Sequence, residues 1–165
     1  MRAASLRYAE NDIRGPDMSK RDSALRFDNQ LCFSVYATAH AFARAYKPLL
    51  DPLGLTYPQW LVMLILWERD GVALKEICEK MELDSGTLTP LVKRMEANGL
   101  LHRLRCSQDE RVVRIHLSDK GRELRVQAQS VPAALGCATG LALPEVLRLR
   151  DEMNILRAQL NAAAE

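Results

Sequence analysis

Leu74-Lys75-Glu76-Ile77-Cys78-Glu79-Lys80-Met81-Glu82-Leu83-Asp84-Ser85-Gly86-Thr87-Leu88-Thr89-Pro90-Leu91-Val92-Lys93-Arg94-Met95-Glu96-Ala97-Asn98-Gly99 is the stretch that decides the fold. Leu74, Ile77, Cys78 and Met81 recur three and four residues apart, which lays one apolar stripe along a short helix. Leu88, Leu91, Val92 and Met95 repeat the pattern at i, i+3, i+4 and i+7. Leu83-Asp84-Ser85-Gly86 is a tight turn between the two, with Asp84 or Ser85 as N-cap. Pro90 lies past the first turn and removes one backbone hydrogen bond, so a slight bend is expected. Asn98-Gly99 supplies a C-cap. The period then changes to two. Leu101 to Arg105 and Val112 to Leu117 read as strands joined by the polar tip Ser107-Gln108-Asp109-Glu110, a β-hairpin. Two short helices, a turn and a hairpin make a winged helix-turn-helix.

Working outward, the helix before this unit, Pro58 to about Arg69, is apolar almost all round and reads as the central buried helix, capped by Thr56 and ended by Asp70-Gly71. Ahead of it lies the turn Asp51-Pro52-Leu53-Gly54. A first helix is expected from an Asp28 cap, with Leu31, Val35, Ala39 and Phe42 on one face, to about Tyr46; Lys47-Pro48 stops it. Residues 1–24 show no hydrophobic period and read as a mobile tail. After the hairpin, Ser118 caps a helix through about Val131, and Pro132, Gly136 and Gly140 mark a loosened stretch around Cys137. A last helix runs from Pro144 to about Ala162. Its seam of Val146, Leu149, Met153, Leu156 and Leu160 suits helix pairing. The expectation is a mainly α domain over residues 25–165 with a small β-hairpin wing. The winged unit spans about 56–117. A two-fold dimer forms through the flanking helices, about 26–47 and 119–162.

Composition narrows the function. The 165 residues are 48% hydrophobic and 5% aromatic with net charge +2, so local rather than global charge decides the partner. Cys32, Cys78, Cys106 and Cys137 are scattered, without a CxxC pair or Cys/His ligand spacing, and His40, His102 and His116 are isolated. No metal and no cofactor is expected, and cysteine chemistry, if present, is redox chemistry. The longest apolar run, Trp60 to Trp67, is too short to span a bilayer, and the N-terminus lacks an apolar signal core. A cytoplasmic protein with no membrane partner is expected.

On the second helix of the unit, Gly86, Thr89, Pro90, Lys93, Arg94 and Ala97 lie opposite the apolar stripe. Small residues at its start, Ser85 and Thr87 among them, permit close approach to a groove of double-stranded DNA. Thr89 reaches a base edge or phosphate, and Lys93 and Arg94 hold phosphates. In the hairpin, Arg103, Arg105, Arg111 and Arg114 outnumber Asp109 and Glu110. An arginine at the wing tip suits the minor groove, with Asp109 orienting Arg111. The alternative is a packing unit that binds no nucleic acid, since the two helices carry slightly more acidic than basic residues.

These residues resemble a known family. Asp109-Glu110-Arg111, followed by a strand and Leu117-Ser118-Asp119-Lys120-Gly121, resembles the wing signature of the MarR family of winged-helix regulators. Leu31-Cys32-Phe33, Leu55-Thr56-Tyr57-Pro58-Gln59-Trp60-Leu61-Val62-Met63 and Leu83 through Leu91 are similar to the organic hydroperoxide resistance branch, over about residues 26 to 160. The resemblance implies a homodimeric repressor on palindromic promoter DNA, released by organic hydroperoxides. It implies a reactive cysteine at Cys32, tyrosines at Tyr46 and Tyr57 that hydrogen-bond its sulfur, and, as in the two-cysteine class, a resolving cysteine at Cys137.

A helix start favours the reactive thiolate. With Asp28 as cap, Cys32 lies in the second turn, where the dipole helps in part and the tyrosine hydroxyls supply the rest. Tyr46 is fourteen residues further along the same helix, about 21 Å away at 1.5 Å per residue. Only the Tyr46 of an antiparallel partner helix comes within reach of Cys32. Sulfenic acid at Cys32 condenses with a nearby thiol, so the expected product is a disulfide to Cys137 of the partner. Cys78 reads as packing, Cys106 as a more exposed thiol near the wing tip, and Trp60 and Trp67 as core. Two alternatives remain open: a regulator released by a non-covalent ligand, and a thiol peroxidase.

Overall fold

The computed structural model describes residues 24–106, 109 and 111–164. The chain divides into two compact units between Ala41 and Phe42, inside its first long helix. The tail expected over residues 1–24 lies outside the described residues except for Ala24.

In the first unit, the Gln30 amide donates to the carbonyls of Ala24 and Arg26 at 2.7 and 3.0 Å. A 3-10 turn, Phe27–Asn29, precedes helix α1, Leu31–Leu50. Asp28 lies inside that turn and does not cap the helix, so α1 starts two residues later than an Asp28 cap implied. The Phe27 and Phe33 rings meet at 4.1 Å across the junction. From Ala24 to Ala41 no residue is buried.

In the second unit α1 runs through Pro48 to Leu50, past the stop expected at Lys47-Pro48. A proline in the last turn forfeits one hydrogen bond near an end that frays anyway. Burial of Leu50 (1% exposed) and the Lys47–Asp51 ion pair at 2.8 Å hold the turn in place. Asp51–Leu53 then forms a 3-10 turn, and Gly54, at φ 66°, lets the Leu55 N–H return to the Leu50 carbonyl.

Helix α2, Tyr57–Glu68, opens on a cap in which the Thr56 N–H donates to Gln59 Oε1 at 2.9 Å. Trp60, Val62, Met63 and Leu66 are buried, which makes α2 the central helix as expected. Around it pack helix α3, Leu74–Met81, and helix α4, Ser85–Ala97, through Ile77, Leu88, Leu91, Val92 and Met95.

A two-residue strand β1, Val72–Ala73, was not legible in the pattern. It pairs antiparallel with β3, Val113–Leu117, which also pairs with β2, Leu101–Arg105, in the order β1-β3-β2. In this register Val72 and Ile115 face each other, as do Leu101 and Leu117, and all four are buried.

Helix α5, Asp119–Ala128, is capped by the Ser118 hydroxyl, which accepts from the Gly121 N–H at 3.0 Å and donates to the Gly99 carbonyl at 2.6 Å. A Cβ at Gly121 would sit 2.1 Å from the Leu100 carbonyl oxygen. The Ser118…Gly121 spacing is thus a weld between α5 and the end of α4.

The fifth helix ends earlier than expected, at Ala128, and the stretch around Cys137 is not loosened. It is helix α6, Val131–Thr139, with Pro132 at its start, where a missing N–H costs nothing. Helix α7, Leu143–Ala162, follows and buries no residue.

Candidate nucleic-acid interface and thiol sites

Helix α4 projects from a turn whose geometry is explicit. Glu82 takes a left-handed conformation (φ 52°), and the Leu83 N–H bonds back to the Cys78 carbonyl at 3.0 Å. Asp84 is the N-cap: it accepts from the Thr87 N–H at 2.8 Å and from the Thr87 hydroxyl at 2.9 Å. Both bonds hold the Asp84 carboxyl below its usual range. Thr87 is therefore engaged within the turn, while Ser85, Pro90, Lys93 and Arg94 are exposed and Thr89 is half-buried. A Cβ at Gly86 would press to 2.9 Å on the capping oxygen of Asp84.

The wing separates its arginines into two pairs. Arg103 donates to Glu96 through Nε at 2.7 Å and through its backbone N–H at 2.9 Å, riveting β2 to α4 and pulling the Glu96 carboxyl down. Arg114 donates to the Gly71 carbonyl at 2.9 Å. Arg105 and Arg111 are exposed and carry no ion pair among the described residues. Asp109 does not grip the Arg111 guanidinium as expected. It accepts from the Arg111 backbone N–H at 3.0 Å, a local turn that shapes the tip.

A brace that the sequence did not reveal sits at the wing base. Asp70 Oδ1 accepts from the N–H groups of Gly71 (2.9 Å) and Leu117 (2.8 Å), and Oδ2 accepts from Arg122 at 2.9 Å. One carboxylate thus joins the end of α2, strand β3 and helix α5. Partners 47 and 52 residues away leave no local signal.

Among the four thiols, Cys32 and Cys137 are exposed, while Cys78 and Cys106 are half-buried. Cys32 is the second residue of α1, in its first turn rather than its second. Cys137 lies in the last turn of α6. Cys78 packs against the core, and burial pushes its thiol up. Tyr46 and Tyr57 do come together: their rings meet at 4.8 Å and line a cleft of about 260 Å³ with Ala43, Leu50 and Leu55. Burial raises both phenols above their ordinary value of 10.0. Among the described residues no cluster of His, Cys, Asp and Glu is suited to a metal ion. No single helix there is long and apolar enough to cross a membrane.

Comparison with known proteins places this geometry. Residues 44–127 match the family model described as transcriptional regulator SarA/Rot. The chain is 51% identical over 144 residues to the HTH-type transcriptional regulator TtmR of Methylorubrum extorquens, covering 87% of this chain and 74% of the relative. It is 44% identical over 118 residues to the organic hydroperoxide resistance transcriptional regulator of Bacillus subtilis, covering 72% and 80%. The reduced, DNA-bound structure of AbfR, a protein of Staphylococcus epidermidis, superposes with TM-score 0.74 at 34% identity, covering 90% of this chain and all of that one. The disulfide form of AbfR superposes with TM-score 0.54, covering 82% and 96%. These relatives are named as regulators, which removes the peroxidase alternative.

Proposed function

This chain belongs to the MarR family of winged-helix transcriptional regulators, and from that premise we propose that it is a redox-sensing repressor. It holds promoter DNA while Cys32 is reduced and lets go when an organic hydroperoxide oxidises that sulfur. The observation that carries the reading is the sorting of the thiols by exposure: the two that the family resemblance marks are the two that stand open in the chain.

The Cys32 thiolate attacks the terminal oxygen of the hydroperoxide. An S–O bond forms, the O–O bond breaks, and the alkoxide leaves and takes up a proton as the alcohol. Cys137 of a second copy then displaces water from the sulfenic acid and closes the disulfide. The Tyr46 and Tyr57 hydroxyls of that second copy stabilise the attacking thiolate by donating to it. The exposed apolar residues of α1 and α7 support a two-fold dimer, which presents two α4 helices to a palindromic operator. On each half-site Ser85, Thr87, Thr89 and Pro90 approach the groove, Lys93 and Arg94 hold phosphates, and Arg111, on the tip shaped by Asp109, enters the minor groove.

The test is a promoter-binding assay beside a non-reducing gel. Wild-type protein treated with cumene hydroperoxide should leave the DNA and migrate as a crosslinked dimer. Cys32→Ser should stay bound, and Cys137→Ser should lose the crosslink. Release of Cys32→Ser by the oxidant would sink the reading. Release that survives loss of both cysteines would point to a non-covalent ligand.

A further inference from the structure

Two tryptophans of α2 meet edge to face, ring centroids 5.6 Å apart, yet their indole N–H groups are treated differently. Trp67 Nε1 donates to the Gly121 carbonyl at 2.9 Å. Trp60 is 2% exposed, and its Nε1 is the buried side-chain polar atom without a hydrogen-bond partner among the described residues. An unmade buried bond is costly and calls for a reason. The Trp60 and Tyr46 ring centroids lie 6.5 Å apart, and burial, with the neighbouring Tyr57, raises the Tyr46 phenol while the Trp60 side chain works in the opposite sense. Tyr46 in turn packs on Tyr57 at the wall of the cleft.

We propose that Trp60 is a positioning residue of the sensing site, its indole N–H taking one lone pair of the Tyr46 oxygen so that the phenol hydrogen is turned into the cleft. This rests on the reading that Tyr46 serves the Cys32 sulfur of a second copy. A phenol oxygen has one hydrogen to give and two lone pairs to fill. With the indole on a lone pair, the O–H points outward, and the chain Trp60 N–H to Tyr46 O–H to sulfur strengthens itself along its length. A small turn of the Tyr46 ring aligns the first link. Trp60 reaches the sulfur only through Tyr46.

The experiment is a spectrophotometric titration of the phenols in the reduced full-length protein. Trp60→Phe should move one phenol upward by about one pH unit, roughly a tenfold loss of phenolate stability. The same substitution in a Tyr46→Phe background should move nothing further. Trp67→Phe, which disturbs the same ring pair, should leave the phenols in place. An unchanged titration in folded Trp60→Phe overturns the proposal. If Trp60→Phe does not fold, the indole N–H resonance of Trp60 decides: it moves in Tyr46→Phe if the phenol oxygen is its acceptor, and a fixed resonance overturns the proposal. These readouts need no peroxide, so they stand or fall separately from the redox reading. If both hold, oxidation of Cys32 by cumene hydroperoxide slows several-fold in Trp60→Phe and no further in the double variant.

Discussion

The winged unit and the helices that flank it solve burial in opposite ways. Helices α2 to α4 sink Trp60, Met63, Leu66, Ile77, Leu88 and Met95 to 2% exposure or less. Leu31, Phe33 and Val35 at the start of α1, and Leu149, Met153 and Leu160 along α7, each stand more than a third exposed. The first region completes its own core. The second leaves apolar side chains on its surface, which the proposed dimer would cover. Polar chemistry divides the same way: Asp70, Glu96 and Ser118 close the winged unit on itself, whereas both open thiols lie outside it.

The largest way to break that contrast is to charge the open face. Leu149→Asp with Met153→Asp should weaken self-association at least ~100-fold, since each apolar side chain contributes roughly 1.5–3 kcal/mol when buried. Sedimentation reads the dissociation. The near-ultraviolet dichroism of Trp60 and Trp67 should persist, because the winged core does not depend on α7. Dimers that survive both charges would assign that face elsewhere.

Gly121→Ala attacks the closed region instead. Its Cβ meets the Leu100 carbonyl oxygen at 2.1 Å, so α5 must shift, and urea unfolding should show a loss of about 2–4 kcal/mol. A loss under 0.5 kcal/mol would mean that the weld is soft.

Arg94→Ala and Lys93→Ala touch neither region's packing. Each should lower the salt slope of DNA binding by about 1, uniformly across sequences. A sequence-selective loss would move these side chains from phosphates to bases.

The smallest effect is one of pH. Arg103 holds Glu96 below the usual 4.5, so the folded state favours the ionised carboxylate. The stabilisation is present above that ordinary value and is lost as pH falls through the lower, folded one. It amounts to ~1 kcal/mol or less for this partly exposed pair. Glu96→Gln should flatten the acid limb of a pH–stability curve by that amount, and an unchanged limb would show that the rivet contributes nothing.

Much of the winged unit was legible because its signals are local. Leu88, Leu91, Val92 and Met95 face the core as their spacing required, and Asp84 caps α4 as its residue type allows. The errors fall where distant groups act. Periodicity and the proline rule placed the end of α1 before Pro48, but burial of Leu50 outweighs one lost hydrogen bond. Pro132 and Gly136 read as loosening, yet Pro132 opens a helix. Asp28 has a capping side chain and sits in a 3-10 turn instead. At the site, the family resemblance supplied the thiols and tyrosines, but not that Trp60 carries an unmade bond near Tyr46.

By itself the sequence determined the order of helices as far as α5, the hairpin and the face that α4 turns outward, since each follows from spacing within a few residues of chain. Only the tertiary structure decided that Val72 becomes a strand, that Asp70 clamps a wing residue 47 positions away, and which of the wing arginines are tied. Hydrogen-bond partners and burial across such separations depend on how elements pack, and no local period encodes that.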